Sequence, residues 1–287
     1  MSYLAAVILG LIQGITEFLP VSSDGHLALG QLLLGPLAGD EDSGLFFDVL
    51  VHVATMLAVM IHFRRELIGL LVAFKPSTEG ALARRVIGLI VTASIPTAII
   101  GFGIKDACER AFHVPILVGL GFLGTAAFLA STIAALRRPR TIAAGDAPSN
   151  IGDSKLWFED LATVRWRDAI AIGAAQGLAP WPGLSRSATT ISTALWMGVA
   201  PLTATRFSLM VSLPAIGGAF LLQLRDLQDH PAPDLPPMLV GFVVAGVVGY
   251  MAIGWLLAVV RNARLPWFAL YTLVLGVLVV ALSLART

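Results

Sequence analysis

Charged residues are scarce in this chain. Asp, Glu, Lys and Arg together make up 13% of its 287 residues, while 57% are hydrophobic. An average soluble protein has about 25% charged residues, so this sequence has too few polar side chains to cover a globular surface in water. The composition excludes an ordinary soluble domain and predicts an integral membrane protein. The net charge of +1 also excludes nucleic acid as a partner, because nucleic-acid binding needs a concentrated cationic surface.

Cysteine and N-terminal positive charge are also scarce. Cys108 is the single cysteine of the sequence, which excludes an internal disulfide framework. No Lys or Arg precedes Arg64. The apolar N-terminus therefore lacks the positive region of a cleaved signal peptide, and we expect it to belong to the mature protein.

Six apolar runs are long enough to cross a bilayer, which takes about 20 helical residues. The predicted transmembrane helices are 45–63, 86–104, 114–136, 202–224, 238–260 and 267–284. Basic residues concentrate in the connections 64–85, 137–167 and 261–264, which the positive-inside rule assigns to the cytoplasm. The N-terminus and the acidic loop 40–42 are then expected outside.

Two further apolar segments are interrupted and too short to span. Residues 168–179 and 188–199 form two arms of about 18 Å each at 1.5 Å per residue, separated by Pro180, Pro182 and Gly183. Residues 2–34 are broken in the same way at 20–25. The alternation of basic loops is satisfied only if both segments are re-entrant hairpins, with 2–34 entering from outside and 168–199 from the cytoplasm.

The two hairpins share a pattern at a constant offset of 163 residues. Gln13-Gly14 and Gln176-Gly177 each precede a serine by the same number of residues. Opposed hairpins in two halves predict an inverted-topology repeat with a site at mid-depth, where broken helices expose backbone groups to a polar ligand. The predicted fold is an all-α polytopic membrane protein in one domain. It comprises a first repeat 1–136, a cytoplasmic linker 137–167 and a second repeat 168–287.

Ionisable side chains in the first hairpin are candidates for function. A charged group within the membrane costs at least about 2.5 kcal/mol unless it is paired or hydrated. Glu17, Asp24 and His26 lie in or beside the break, together with Ser22 and Ser23. This loop therefore contains an acid, hydroxyl nucleophiles and a base.

The second hairpin contains a candidate phosphate cradle. Arg186 is a permanent cation whose planar guanidinium suits bidentate phosphate binding. Gly183 and the helix N-terminus that follows add backbone N–H donors, which favour an anion. Hydroxyl groups flank the arginine at Ser185, Ser187, Thr189 and Thr190. Taken singly, Ser187, Thr189 and Thr190 are equally well explained by helix packing.

For polar residues outside the hairpins, the sequence gives weaker evidence of a functional role. We interpret His52 and His62 as packing or interfacial residues, with Asp48 and His52, one turn apart, as a candidate pair lining the cavity. Arg206 could snorkel to the cytoplasm or reach the cavity, and the sequence leaves both open. Residues 143–155 are predicted to be a flexible linker without chemistry.

The motifs resemble those of the undecaprenyl pyrophosphate phosphatase family, also described as bacitracin-resistance proteins. The resemblance rests on residues 13–23 with His26 and on 182–187 with Thr190, supported by 206–208 and by a similar order of spans. It implies a phosphatase of the bacterial inner membrane that removes the terminal phosphate of a polyprenyl pyrophosphate. This reaction regenerates the lipid carrier for cell-wall synthesis and confers bacitracin resistance.

The resemblance also implies roles for single residues. Glu17 would bind a divalent cation, Mg²⁺ or Ca²⁺, or act as acid or base, and Ser23 or His26 would be the nucleophile. Asp24 stands where the family usually has a small or hydroxyl residue, so it is either an added metal ligand or a carboxylate facing water. Ala188 stands where the family usually has Gly. The implied pyrophosphate-binding residues are Arg186, Gln13, Ser22, Gly183, Ser185, Ser187 and Thr190.

The expected partners are the polyprenyl pyrophosphate, membrane lipids and a second copy of the chain in a homodimer. The active site is expected to open to the periplasmic side. The rival function is an alternating-access flippase or transporter of a lipid phosphate, because carriers also use opposed hairpins. The other lipid-phosphatase superfamily, with a Ser-Arg-x5-His motif, is excluded because Ser192 stands at the histidine position. A nucleophile and an acid beside the cradle favour the enzyme.

Overall fold

The computed structural model describes residues 1–136, 154–226, 234–262 and 264–285, and within them every regular element is helical. Two short 3-10 helices, Gly35–Ala38 and Leu70–Phe74, join α-helices. The α-helices are α1 (Tyr3–Thr16), α2 (Ser23–Leu34), α3 (Glu41–His62), α4 (Arg64–Gly69), α5 (Thr78–Phe112), α6 (Pro115–Leu136), α7 (Ser154–Ala162), α8 (Trp166–Gly177), α9 (Arg186–Trp196), α10 (Pro201–Asp226), α11 (Leu235–Arg261) and α12 (Leu265–Leu284).

Six of these helices are long and apolar enough to cross a membrane: α3, α5, α6, α10, α11 and α12. Each overlaps one predicted span, which confirms the all-α polytopic fold class and makes the chain a multi-pass membrane protein. Helix α5 has 35 residues and is about 52 Å long, well beyond the hydrocarbon thickness of about 30 Å. It is longer than predicted because the polar sequence on both sides of the apolar run continues the same helix.

The remaining helices near the two breaks are short. Helices α1, α2, α8 and α9 have 14, 12, 12 and 11 residues, fewer than a span requires. Helices α8 and α9 each begin two residues before the predicted arms, because Asp168 accepts from the backbone N–H of Arg165 at the start of α8 and Ser185 caps α9. The re-entrant insertion of the two pairs in a membrane stays a prediction.

The short helices pack on long helices of the opposite half of the chain. Helix α1 lies against α11, and α8 lies against α5. A Cβ on Gly10 would lie 2.6 Å from the carbonyl oxygen of Gly241, and a Cβ on Gly173 only 2.0 Å from that of Ala93. Gly10 and Gly173 are separated by the same 163 residues as the shared motifs. This reciprocal packing through small residues supports an internal repeat.

The last part of the predicted linker is a packed helix. Trp157 and Phe158 of α7 are buried in the largest hydrophobic core. The guanidinium of Arg85 donates to the carbonyl oxygens of Ala162 and Val164, at 2.9 and 3.1 Å, where α7 ends. This places a cation at the negative end of the helix dipole. Residues 143–153 of the predicted flexible stretch lie outside the described residues.

Candidate active site

The first break is a turn of residues 17–22 between α1 and α2. Ser22 caps α2, with its hydroxyl oxygen accepting from the backbone N–H of Gly25 at 3.4 Å. Its φ is +70°, in the left-handed region that few non-glycine residues adopt. Such a conformation costs on the order of 1–3 kcal/mol and is typical of functional sites. The turn brings Ser23, the first residue of α2, back beside Glu17.

Glu17 is the buried centre of the site, with its side chain 3% exposed. One carboxylate oxygen, Oε2, accepts from the Ser23 hydroxyl at 2.6 Å and from the Gln13 amide at 3.0 Å. The other, Oε1, accepts from the guanidinium of Arg186. The structure therefore brings together the acid, the serine and the arginine that the sequence assigned to separate hairpins.

The second break is built on Gly183, whose φ is +87°. A Cβ at this position would lie 2.2 Å from the carbonyl oxygen of Val118, so a side chain would require the backbone of α6 to move. Thr125 of α6 fixes the loop, since its hydroxyl donates to the Gly183 carbonyl at 2.8 Å and accepts from the Ser185 N–H at 2.8 Å. The loop therefore presents the N-terminus of α9 in a defined orientation.

The hydroxyl groups around Arg186 are bonded within the protein. Ser185 caps α9 and lies 3.1 Å from the hydroxyl of Ser187, which donates to the Leu19 carbonyl at 3.1 Å. Thr190 is fully buried, and its hydroxyl contacts the Arg186 carbonyl at 2.7 Å and the Ser208 hydroxyl at 2.6 Å. The predicted substrate contacts of these hydroxyls stay predictions. What the structure shows is that they join the two breaks and support the helix of Arg186.

His26 lies in the first turn of α2 and is half-buried. Its Nδ1 is 2.6 Å from the carbonyl oxygen of Ser22, and its Nε2 is 2.7 Å from the hydroxyl of Tyr271. The imidazole stacks on the Tyr271 ring and meets Phe122 edge-on. A carbonyl oxygen can only accept, so Nδ1 carries the proton, and in the neutral ring Nε2 accepts from the tyrosine.

Two residues of this site were not among the predicted catalytic or binding residues. His52, interpreted as a packing or interfacial residue or as lining the cavity with Asp48, has its Nε2 3.2 Å from Asp24 and 3.6 Å from Glu17. Its position on an apolar span and its spacing from Asp48 were the available signal, because intramembrane ionisable residues are usually functional. Tyr271 gave no comparable signal, since aromatic residues are common on transmembrane helices.

Arg206, which the sequence left undecided, lies in a buried ion pair. Its Nη1 is 2.9 Å from Asp160 of α7, and the two side chains are 8% and 10% exposed. Asp160 was not predicted because it falls within the supposed linker. This ion pair joins α7 to α10. Arg206 lies two residues before Ser208, whose hydroxyl contacts Thr190.

The oxygen atoms near Glu17 suit a hard cation. Gln13 Oε1 is buried and makes no hydrogen bond within the part of the chain that the structure describes. Within the same residues, no group of three His, Cys, Asp or Glu side chains is placed to hold a metal by itself. Mg²⁺ is commonly bound by one or two carboxylates together with substrate phosphates. Gln13, Glu17 and Asp24 therefore fit a cation that is shared with a phosphorylated ligand.

Comparison with known proteins gives matches along nearly the whole chain. A family model described as bacitracin resistance protein BacA matches residues 6–278. An undecaprenyl-diphosphatase of Syntrophotalea carbinolica is 39% identical over 284 residues, covering 99% of this chain and all of the relative. Proteins with the same name from Carboxydothermus hydrogenoformans and Methanosphaera stadtmanae are 37% and 33% identical, and the matches cover 99% and 98% of each chain.

Proposed function

The chain belongs to the bacitracin resistance protein BacA family, and we propose that it is an undecaprenyl-diphosphatase. It hydrolyses undecaprenyl diphosphate to the monophosphate and inorganic phosphate, recycles the lipid carrier for cell-wall synthesis and confers bacitracin resistance. The observation that carries this proposal is the buried contact of Glu17 with both Ser23 and Arg186. A flippase that moves a lipid phosphate across the membrane would need the arginine to bind the phosphate. It would not need a serine hydroxyl bonded to a carboxylate, so the flippase alternative is not favoured.

We propose Ser23 as the nucleophile. Its hydroxyl already donates to Glu17 at 2.6 Å, which is the arrangement of a nucleophile beside its base. Ser23 Oγ attacks the terminal phosphorus, the bond from that phosphorus to the bridging oxygen breaks, and the lipid monophosphate departs. The serine proton passes to Glu17. His26 is less suited to attack, because both of its ring nitrogens are engaged by Ser22 and Tyr271.

Hydrolysis of the phosphoserine completes the reaction. Water attacks the phosphorus, and Ser23 Oγ leaves and recovers the proton held by Glu17. Nε2 of His26 accepts from the Tyr271 hydroxyl at 2.7 Å, so this pair can act together as the base: the attacking water gives its proton to the tyrosine oxygen while the tyrosine passes its own proton to Nε2. Inorganic phosphate is the second product, and the enzyme returns to its starting state once His26 has released its proton to the phosphate or to solvent.

Arg186 supplies the charge that phosphoryl transfer requires. Its guanidinium contacts Glu17, and its side chain is 16% exposed, so it is partly accessible to a ligand. A fixed cation at this position stabilises the negative charge of the phosphoryl oxygens in the transition state. Mg²⁺ or Ca²⁺ held by Gln13, Glu17 and Asp24 would add further neutralisation of the diphosphate when bound.

We place the enzyme in the bacterial plasma membrane with its N-terminus outside and its site opening to the periplasmic side. The basic connections 64–85, 137–167 and 261–264 support this orientation through the positive-inside rule. The reacting groups Glu17, Ser23 and His26 all belong to the hairpin that then enters from outside. The homodimer stays a prediction.

The proposed function is tested with purified protein and undecaprenyl diphosphate in detergent with Mg²⁺. We expect phosphate release that a chelator stops, and a loss of about 10²–10³-fold in kcat for Arg186→Lys, because an ammonium cannot reproduce the planar fork. The matched control is Arg165→Lys, whose arginine pairs with Asp168 and is half exposed; it should turn over normally. Lipid translocation in liposomes without phosphate release would contradict the proposal.

A further inference from the structure

Asp24 lies in the first turn of α2, one residue after Ser23. The sequence left two roles for this carboxylate, an added metal ligand or a group facing water. Its Oδ1 lies 3.2 Å from Nε2 of His52, and its side chain is only 30% exposed. The carboxylate is therefore directed towards α3 and towards the interior of the site.

His52 is held so that one ring nitrogen faces two carboxylates. Its Nδ1 is 2.7 Å from the backbone carbonyl oxygen of Asp48, which fixes the plane of the ring. Its Nε2 then lies 3.2 Å from Asp24 and 3.6 Å from Glu17. Because Nδ1 donates to the Asp48 carbonyl oxygen, Nε2 can donate to a carboxylate only in the imidazolium form, whose positive charge offsets the repulsion between the two carboxylates.

Further hydrogen bonds hold the residues around His52 in place. The amide of Gln31 donates to Oδ1 of Asp48 at 2.9 Å, which ties α2 to α3 beside the histidine. Thr55, one turn along α3, donates to the carbonyl oxygen of His52 at 3.0 Å. The Asp24–His52 contact is thus supported by one bond between α2 and α3 and by one bond within α3.

We propose that Asp24 and His52 act as one positioning pair for the reaction at Ser23. His52 holds Asp24 and Glu17 at a fixed separation, so that Oε2 of Glu17 stays directed at the serine hydroxyl. This inference rests on the proposed phosphatase function and adds to it a residue from α3, outside both hairpins. It also gives Asp24 a partner within the protein.

A second histidine on the same helix provides the matched control. His62 lies ten residues further along α3 and contacts the rings of Phe63 and Tyr250. Within the described residues its Nδ1 has no hydrogen-bond partner. It therefore shares the helix and the residue type with His52 but has no carboxylate pair to organise.

The test is a double-mutant cycle in the purified full chain at saturating Mg²⁺, with undecaprenyl diphosphate as substrate. Asp24→Asn and His52→Gln are each expected to lower kcat by about 10- to 100-fold with little change in KM. The double variant should be no slower than the slower single variant, because the two residues act as a unit. His62→Gln should keep wild-type turnover.

Several outcomes would contradict the proposal that Asp24 and His52 act as one positioning pair. Wild-type turnover in either single variant, or losses that multiply in the double variant, would show that the residues act independently or not at all. Should His52→Gln fail to fold, Asp24→Asn and Asp24→Ser carry the test, because a loss that appears in KM rather than kcat contradicts positioning. Failure of the wild-type protein to release phosphate would instead reject the proposed function, so the two failures are distinguishable.

Discussion

The carboxylate of Glu17 contacts residues from four helices: Gln13 of α1, Ser23 of α2, His52 of α3 and Arg186 of α9. Without Arg186, the buried carboxylate of Glu17 would be left with an uncompensated negative charge, which costs about 3–5 kcal/mol. Arg186 and Glu17 are therefore expected to be needed for stability as well as for chemistry. Variants at either position should be checked for folding before a loss of turnover is assigned to catalysis.

The nucleophile can be identified by its phosphorylated product. With substrate labelled in the terminal phosphate, we expect an acid-stable label on Ser23 after rapid quenching. Ser23→Ala should show neither label nor turnover. His26→Ala should accumulate label, because it retains the first step and loses the proposed base of the second. An acid-labile label that survives in Ser23→Ala and is absent from His26→Ala would assign the attack to His26.

The sequence predicted the reactive residues better than their contacts. Glu17, Arg186 and His26 stand out because ionisable groups in apolar segments are costly. The bond between Glu17 and Arg186 joins residues 169 positions apart, and it depends on how the two breaks meet. No local pattern encodes that meeting. His52 was predicted only as a packing residue or a lining partner of Asp48, because a histidine on a regular span has the same sequence signature whether it packs or functions.

At the level of elements, the lengths of the apolar runs predicted the membrane spans, whereas polar capping groups determine where the short helices begin. The predicted arms 168–179 and 188–199 followed the apolar residues, whereas the helices begin at Trp166 and Arg186, where capping groups satisfy free N–H donors. Helix α7 was not predicted, because its nine residues are too few to give a hydropathy signal of a membrane span. It is stabilised by tertiary contacts of Trp157 and Phe158, which the sequence does not display.

Gly183 offers a sharp test of the second break. Gly183 and Gly198 have nearly the same φ, +87° and +85°, but a Cβ on Gly198 would meet no atom within 4 Å. Gly198→Ala should therefore cost only the left-handed backbone, about 1–2 kcal/mol. Gly183→Ala adds a clash with the Val118 carbonyl, so its melting temperature in detergent should fall further and its turnover should be lost. Equal effects of the two substitutions would contradict the described loop.

For the whole molecule, composition predicted the class of protein, and the lengths of the apolar runs predicted the six spans. The orientation is open to direct measurement. In a Cys108→Ala background, we expect Glu109→Cys to react with a membrane-impermeant maleimide on intact cells, because Glu109 is exposed in the last turn of α5, the end of that helix predicted to lie outside. Lys75→Cys, equally exposed on the surface of the protein, should react only after permeabilisation. The reverse pattern would invert the proposed topology and place the reacting hairpin on the cytoplasmic side.

The reciprocal packing of α1 on α11 and of α8 on α5 bears on how this protein is made. Helix α1, which carries Gln13, is synthesised more than 200 residues before Leu235–Arg261, the helix that packs against it. Chains are synthesised from the N-terminus at about 5–20 residues per second, so this first hairpin must wait more than ten seconds for its partner. For most of that interval Glu17 also lacks Arg186, which is synthesised shortly before α11. The catalytic centre is thus begun first and completed last, and a chain interrupted before α11 would hold an exposed, unfinished hairpin.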